Sequence, residues 1–328
     1  MAIYEGNVNN HTELLQVLRE KCIAHGWALT GDILSKGRAY VRAYVATENQ
    51  AIGGQGTPAN TAGSGIIIQG GSGINAGALV DPSTTQPRLG RPTNDDTFKA
   101  IEWPASYTLH IFDNPDEVYL ILNFSTQYHY YLAFGVSAVP VPGTGLWLCG
   151  STRWSVSTSN LNYAGFNITE KSGVLSTSAS SYYATAPFWT TSIGNNALAY
   201  RSDTMHTGFD GRTWCGSGYG DTNEDGFSAI IAAQPHIARS PNQWNQESVL
   251  LPIHAFLMRK ENKRSLVLSV QNARYVRVDN YAPGDVVTLG TEKWRIYPFY
   301  FKNAAERNGA TGNFRPHTGT FGWAIRYE

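Results

Sequence analysis

The residues of this chain that come nearest to a recognised chemical pattern run from Asp221 to Gly226. Asp221, Asn223 and Asp225 alternate, and Gly226 follows. This matches the first half of a calcium-binding loop, where alternate oxygens face the ion and the glycine permits a sharp turn. The match stops there, because Ala232 stands where a bidentate carboxylate belongs. The segment reads either as an ordinary polar turn or as a partial Ca2+ site, and no other cofactor is implied. Just before it, Gly216-Ser217-Gly218-Tyr219-Gly220 has the glycine content of a phosphate loop. It lacks both the apolar strand in front and the Lys-Ser or Lys-Thr behind that such a loop needs.

The other reactive residue types are scattered. None of the eight histidines forms an HxH or HExxH pair, and there is no GxSxG elbow. His110 and His129 fall in predicted strands and are read as structural. The carboxylate pairs Asp95-Asp96 and Asp116-Glu117 are adjacent in sequence, whereas a glycosidase pair is defined by its spacing in space. Cys22, Cys149 and Cys215 are widely spaced with no CxxC, which suits buried thiols rather than a zinc site or a disulfide framework. No catalytic residue is assigned, and a non-enzymatic protein is expected.

Two features suit binding. Trp147, Trp154, Trp189, Trp214 and Trp244 lie in a middle region poor in charge. They either fill a β core or an interface, or stack on sugar rings, with Trp189 and Trp214 the candidates for stacking. The run Arg259-Lys260-Glu261-Asn262-Lys263-Arg264 is basic. It is a solvated turn, a patch for an acidic neighbour, or a surface facing nucleic acid inside a channel, and Arg259, Lys260, Lys263 and Arg264 are its interaction candidates.

The elements that must position these residues are mostly strands. Asn10 as N-cap, Glu13 three residues on, Leu14, Leu15, Leu18 and Cys22 at helical spacing, and Gly26 beyond predict a helix over 11–25. Trp27 and Leu29 are expected to pack back on it. Strands are predicted at 39–45, 107–112, 118–124 and 128–134. The middle one of the last three is apolar on both faces and so should be central and covered on both sides. Hairpins are predicted from 265–270 with 275–278, and from 286–289 with 293–301 across Gly290, and 322–327 suits a final strand. No fixed-period repeat supports a solenoid or propeller.

From about residue 50 to 95 the chain is glycine-rich and carries no charge between Glu48 and Asp81. It is read as a flexible linker or as an arm ordered by a neighbouring subunit, with Ile66, Ile67 and Ile68 as its contact residues. Residues 136–200 contain only Arg153, Glu170 and Lys171 as charges. Long loops and short strands are expected there, with 172–181 an exposed excursion. The fold class is mainly β and β-sandwich-like, with an N-terminal helix and a small α+β region. Residues 1–135 form one region that includes the arm, and 136–328 a β-rich second one.

Composition narrows the function. The 328 residues include 25 basic and 25 acidic side chains, and charged residues are 15% of the chain, against roughly 25% in an average soluble protein. The zero balance excludes a globally basic nucleic-acid binder, and direct nucleic-acid contact is not expected. It conceals a split, since residues 259–328 hold 12 basic and 6 acidic residues and the preceding ones 13 and 19. No segment approaches the ~20 apolar residues that span a membrane, and Met1–Gly6 has no secretory pattern. Synthesis in a reducing cytosol is expected.

The order of segments adds a likeness. HTELLQVLREKCIAHGWAL is followed by FDNPDEVYLILNFSTQYHYYLAFG, then RSPNQWNQESVLLPIHAFL, PGDVVTLGTEKWRIYPFYFKN and the terminal HTGTFGWAIRYE. This arrangement resembles the virion structural proteins of tailed bacteriophages, of the kind found in neck, collar, tail and baseplate assemblies. The likeness covers most of the chain outside 50–95 and 150–230 and carries no active-site residues. It implies a virion protein assembled in the host cytoplasm as a homo-oligomeric ring or collar at the neck or tail, in contact with copies of itself and other virion proteins. The alternative it leaves open is a tail or baseplate module that binds a host surface glycan, and less readily a glycan-degrading enzyme.

Overall fold

The computed structural model describes residues 1–46, 65–83, 86–90, 100–153, 187–188, 203–209, 213–216, 227–229, 247–258, 264–299, 301–302 and 321–328. The chain begins with β1 (Ala2–Val8), α1 (His11–Ala24), β2 (Ala28–Thr30), β3 (Ile33–Lys36) and β4 (Ala39–Ala46). Next come β5 (Gly65–Gly71), β6 (Gly73–Asn75), β7 (Ala78–Val80) and β8 (Pro87–Gly90). The meander is β9 (Ala105–Asp113), β10 (Asp116–Phe124) and β11 (Tyr128–Val136), followed by β12 (Leu146–Gly150), β13 (Thr152–Arg153), β14 (Asp203–His206) and β15 (Trp214–Gly216). The last group is β16 (Phe227–Ala229), β17 (Leu251–Met258), β18 (Arg264–Arg277), β19 (Val286–Leu289), β20 (Glu292–Pro298) and β21 (Phe321–Arg326).

These strands make a mainly β fold of three layers. The central antiparallel sheet has the order β1-β9-β10-β11-β12-β14-β15. One of its faces is covered by α1 and by a second sheet, β13-β8-β5-β4-β3-β2; the other is covered by a third, β16-β17-β18-β21-β20-β19. A β-hairpin, β6–β7, stands apart from these sheets. Alternation along β10 and β11 assigns the faces. Val118, Leu120, Leu132 and Phe134 share the face on which Trp27 meets Phe134 edge to face. Tyr119 and Tyr131 share the opposite face, where both rings meet Trp323 of β21. Leu120, Ile121 and Leu122 are buried because layers lie on both sides, which is why β10 lacks polar alternation. One cluster of buried apolar side chains runs through all three layers and across position 136.

The helix forms as its sequence directs. The Asn10 side chain accepts from the Glu13 backbone N–H, Glu13 accepts from the Asn9 backbone N–H, and Leu14, Leu15, Leu18 and Cys22 are its buried face. Trp27 is buried against this layer, as expected, but Leu29 is not: β2 is an edge strand and all three of its residues are exposed. Cys22, Cys149 and Cys215 are free buried thiols.

Two expectations need correction. The glycine-rich stretch is not an arm around its isoleucines. Ile66, Ile67 and Ile68 are fully buried in β5, between β4 and β8. Ile66 and Ile68 point into the main core, while Ile67 packs with Ala46 on the other face. The glycines serve close packing instead. A Cβ on Gly70 would lie 2.5 Å from the Trp214 ring and 2.7 Å from Leu148. Residues 50–64, 84–85 and 91–95 of that stretch lie outside the described residues. The second correction is in the C-terminal third, where 265–270 and 275–278 belong to one strand, β18, whose hairpin partner is β17. The residues between them form a bulge: pairing with β17 passes from Ile253↔Val270 to Pro252↔Arg274 and skips 271–273. The second predicted hairpin is present as β19 and β20.

Candidate interaction surface

The bulge in β18 explains how the third layer is fixed to the central sheet. Glu117 of β10 is a fully buried carboxylate facing that layer. Its Oε1 accepts from the Gln271 backbone N–H at 2.8 Å. Its Oε2 accepts from the Asn272 backbone N–H at 2.9 Å, the Asn272 side-chain amide at 2.9 Å and the Tyr119 hydroxyl at 2.8 Å. Burial pushes the carboxyl up and the four donors pull it down, with burial the larger effect. Gly135 makes the room, since a Cβ there would come within 2.8 Å of Glu117 Cγ and 2.9 Å of the Trp147 ring. This constellation is sealed, so it positions other groups and does not meet a ligand.

A second polar cluster has the composition of a catalytic relay. His206 Nε2 lies 3.3 Å from Asp81 Oδ2, and its Nδ1 lies 3.1 Å from the Thr144 hydroxyl. The Thr144 backbone N–H donates to the same Nδ1 at 2.9 Å, so the imidazole is neutral with its proton on Nε2. The Thr144 hydroxyl in turn accepts from the Leu146 N–H. Burial lowers the His206 pKa, with Asp81 acting against it. With its acceptor nitrogen committed to a backbone donor, this His ties the 142–146 loop to β14.

Trp214, a sugar-stacking candidate, belongs to the same cluster. Its indole N–H donates to the Asp81 carbonyl at 2.7 Å, and its half-buried ring packs on His206 with centroids 5.1 Å apart. The ring therefore lies within the packing between the first two sheets and does not present a free platform. Trp189, the residues Asp221, Asn223 and Asp225, and the basic residues Arg259, Lys260 and Lys263 lie outside the described residues; Arg264 opens β18. Among the described residues no cluster of three or more His, Cys, Asp or Glu is arranged to hold a metal ion. No helix among them is long and apolar enough to cross a membrane.

What does present apolar surface is the rim of the third sheet. β19 is its edge strand, and among the described residues only β20 pairs with it. Val286 is 45% and Leu289 57% exposed, while Val287 between them packs onto the small core of Val276, Val278, Trp294, Ile296 and Ala324. β-branched and apolar residues on an open edge are unusual in a free monomer, because they offer both hydrogen-bonding backbone and apolar contact to another chain. Paired charges lie beside this edge: Arg326 with Glu292 at 3.3 Å and Lys293 with Glu328. On the far layer the rim is β2, whose three residues are exposed, Leu29 at 38%, and Asp32 stands beside it, paired with Arg42 at 2.6 Å. Sequence reasoning placed the β19 strand but not its open edge, and it did not predict β2. The signal for β19 was present in Val286-Val287-Thr288-Leu289, a strand without polar alternation at the end of a hairpin. No protein-family model matches the chain, and a search of curated proteins gives no significant match.

Proposed function

We propose that the chain is a non-enzymatic structural component of a tailed-phage particle that assembles with copies of itself into a ring or collar at the neck or tail. The observation that carries the reading is the exposed apolar edge β19 lying in the basic part of a chain whose charge is split. Residues 259–328 have 12 basic and 6 acidic side chains, and 1–258 have 13 and 19. An exposed apolar edge in the net-basic third of the chain, and an excess of acid in the rest, favour head-to-tail contact between copies, and head-to-tail contacts close into rings when the rotation allows. Low overall charge suits a chain whose surface is covered by neighbours. The phage context itself rests on the segment resemblance.

Light scattering of the purified chain, with negative-stain imaging, tests assembly. The expected result is a discrete ring-sized oligomer, and a strict monomer at all concentrations overturns the reading. Antibody labelling of purified virions tests the location, with signal expected at the neck or tail and its absence from particles counting against a virion role.

A further inference from the structure

The face of the central sheet that carries Tyr119 and Tyr131 is not covered along its whole length. Where the third sheet stops, a crevice of about 450 Å3 opens between β1, β9, β10 and β11 on one side and the β19–β20 hairpin with its preceding turn on the other. Volumes of this size fall in the range of small-molecule sites, about 300–1,000 Å3. Strand register dictates what lines the floor. Glu5, Thr108 and Ile121 are cross-strand partners, as are Asn7, Ser106, Asn123 and His129, so two rows of side chains run across the sheet on one face. The second row contains amide, hydroxyl, amide and imidazole, spaced by the ~4.8 Å that separates neighbouring strands. The opposite wall is Pro283, Gly284, Arg295 and Tyr297.

The chemistry of that lining selects its ligand. The two charged groups, Glu5 and Arg295, pair with each other, so the crevice offers no net charge to an ion. The Asn123 amide nitrogen is committed to the Thr126 and Tyr128 carbonyls and lies 3.1 Å from His129 Nε2, and the Ser106 hydroxyl donates to the Asn123 carbonyl at 3.4 Å, which fixes the row and leaves the Asn123 amide oxygen and the Asn7 amide as its open groups. Tyr297 is held by His110 at 2.9 Å. A fixed array of neutral donors and acceptors, with Ile121 and Pro283 as its apolar faces, matches a molecule rich in hydroxyls that also has an apolar ring face. We propose that this crevice binds an uncharged saccharide of disaccharide size. The assignment does not depend on assembly, because every lining residue comes from one chain.

Saturation-transfer NMR on the full chain tests it, with cellobiose, maltose, lactose and chitobiose as the neutral probes and digalacturonate as the acidic one. At least one neutral disaccharide is expected to show transfer. The bulky variants Asn7→Trp and Ser106→Trp are expected to weaken binding tenfold or more, and the milder Asn7→Ala threefold or more. Thr30→Trp, on the remote edge strand β2, is expected to leave it unchanged. Melting curves of each variant separate loss of the site from loss of the fold, and Asn7→Ala supplies the readout if both tryptophan variants unfold. The proposal is overturned if no neutral probe shows transfer, if transfer survives Asn7→Trp in a folded protein, or if digalacturonate binds tenfold tighter than every neutral probe.

Discussion

Two ends of one sheet face place polar groups under opposite conditions. At Glu117 the third layer lies directly on the central sheet, and a carboxylate is sealed with four donors. At Asn7, Ser106 and Asn123 the covering layer has ended, and a row of polar groups meets a crevice, with the buried His129 at the row's inner end. The contrast follows from desolvation. A carboxylate without water must have its hydrogen bonds completed by the protein, whereas groups that still meet solvent need no such completion. The first end therefore serves the fold and the second is left available to a ligand.

Removing the sealed carboxylate should have the largest effect. Glu117→Ala leaves the Gln271 and Asn272 N–H groups and the Tyr119 hydroxyl without their acceptor, and with about 1–3 kcal/mol for each buried donor left unsatisfied the loss should be about 3 kcal/mol or more. Glu117→Gln keeps one acceptor but turns an NH2 toward other donors, so it should cost about 1–3 kcal/mol. Urea denaturation reads both. A loss below about 1 kcal/mol for the alanine variant would mean that the bulge finds other partners and the third layer does not hang on this residue.

The buried histidines come next. Burial pushes His110 down to about 3, helped by the Arg295 charge, and His11 down to about 4, helped by Arg88. An unfolded imidazole takes its proton near 6.5. Between those values the unfolded chain binds more protons, so this contribution is complete above about pH 6.5 and is lost as pH falls toward 4 and 3. His110 alone should account for about 3 kcal/mol between pH 7 and pH 4. Glu117 has the opposite sign, since its raised pKa favours the folded state as pH falls. Melting temperatures from pH 7 to 4 should fall, and His110→Gln should flatten the decline. An unchanged slope in that variant would place the acid sensitivity elsewhere.

At the open end the cost should be smaller. Asn123 donates to the Thr126 and Tyr128 carbonyls across a turn in which Ser125 and Thr126 have positive φ. Asn123→Ala should cost about 1 kcal/mol, the net value of ordinary hydrogen bonds beside solvent. Faster amide exchange at 125–127 with the rest of β10 unchanged would be its signature. A loss equal to that of Glu117→Ala would erase the distinction between the two ends.

Local patterns were legible in the sequence, and long-range partnerships were not. The helix declared itself through Asn10, Glu13 and its leucines, and β10 through apolar residues on both faces. The Glu117 site pairs β10 with residues more than 150 positions away, and nothing local to either segment announces the partner. Gln271-Asn272 looked like a turn because polar residues between two apolar runs are the usual turn signal. Here the Asn272 amide serves a buried acceptor instead, and Gln271 adds only its backbone N–H. The isoleucines of β5 were misread for a related reason. Their flanking glycines suggested freedom, while in the fold Gly70 admits Trp214 and Leu148 at close range and Gly65 admits Leu89 and Arg88. The rows that line the crevice were hidden in strand register, which sequence alternation alone does not supply.

The smallest expected effect on stability belongs to the rim, and it carries the most information about function. Val286 and Leu289 make few contacts inside the chain, so replacing either should change folding stability by no more than about 0.5 kcal/mol. Association is a different matter. If the rim of one copy meets the acidic body of the next, Leu289→Asp adds acid to acid as well as removing apolar surface, whereas Leu289→Lys removes the same surface but adds a charge of the attracting sign. The aspartate variant should then weaken assembly more than the lysine variant, in sedimentation or light scattering at low salt. Raising ionic strength from 0.1 to 1 M shortens the screening length from about 10 Å to about 3 Å and should narrow the gap. Equal weakening by the two variants would leave an apolar contact without charge complementarity. Full assembly by both would remove β19 from the interface and leave the far rim at Leu29 as the surface to test.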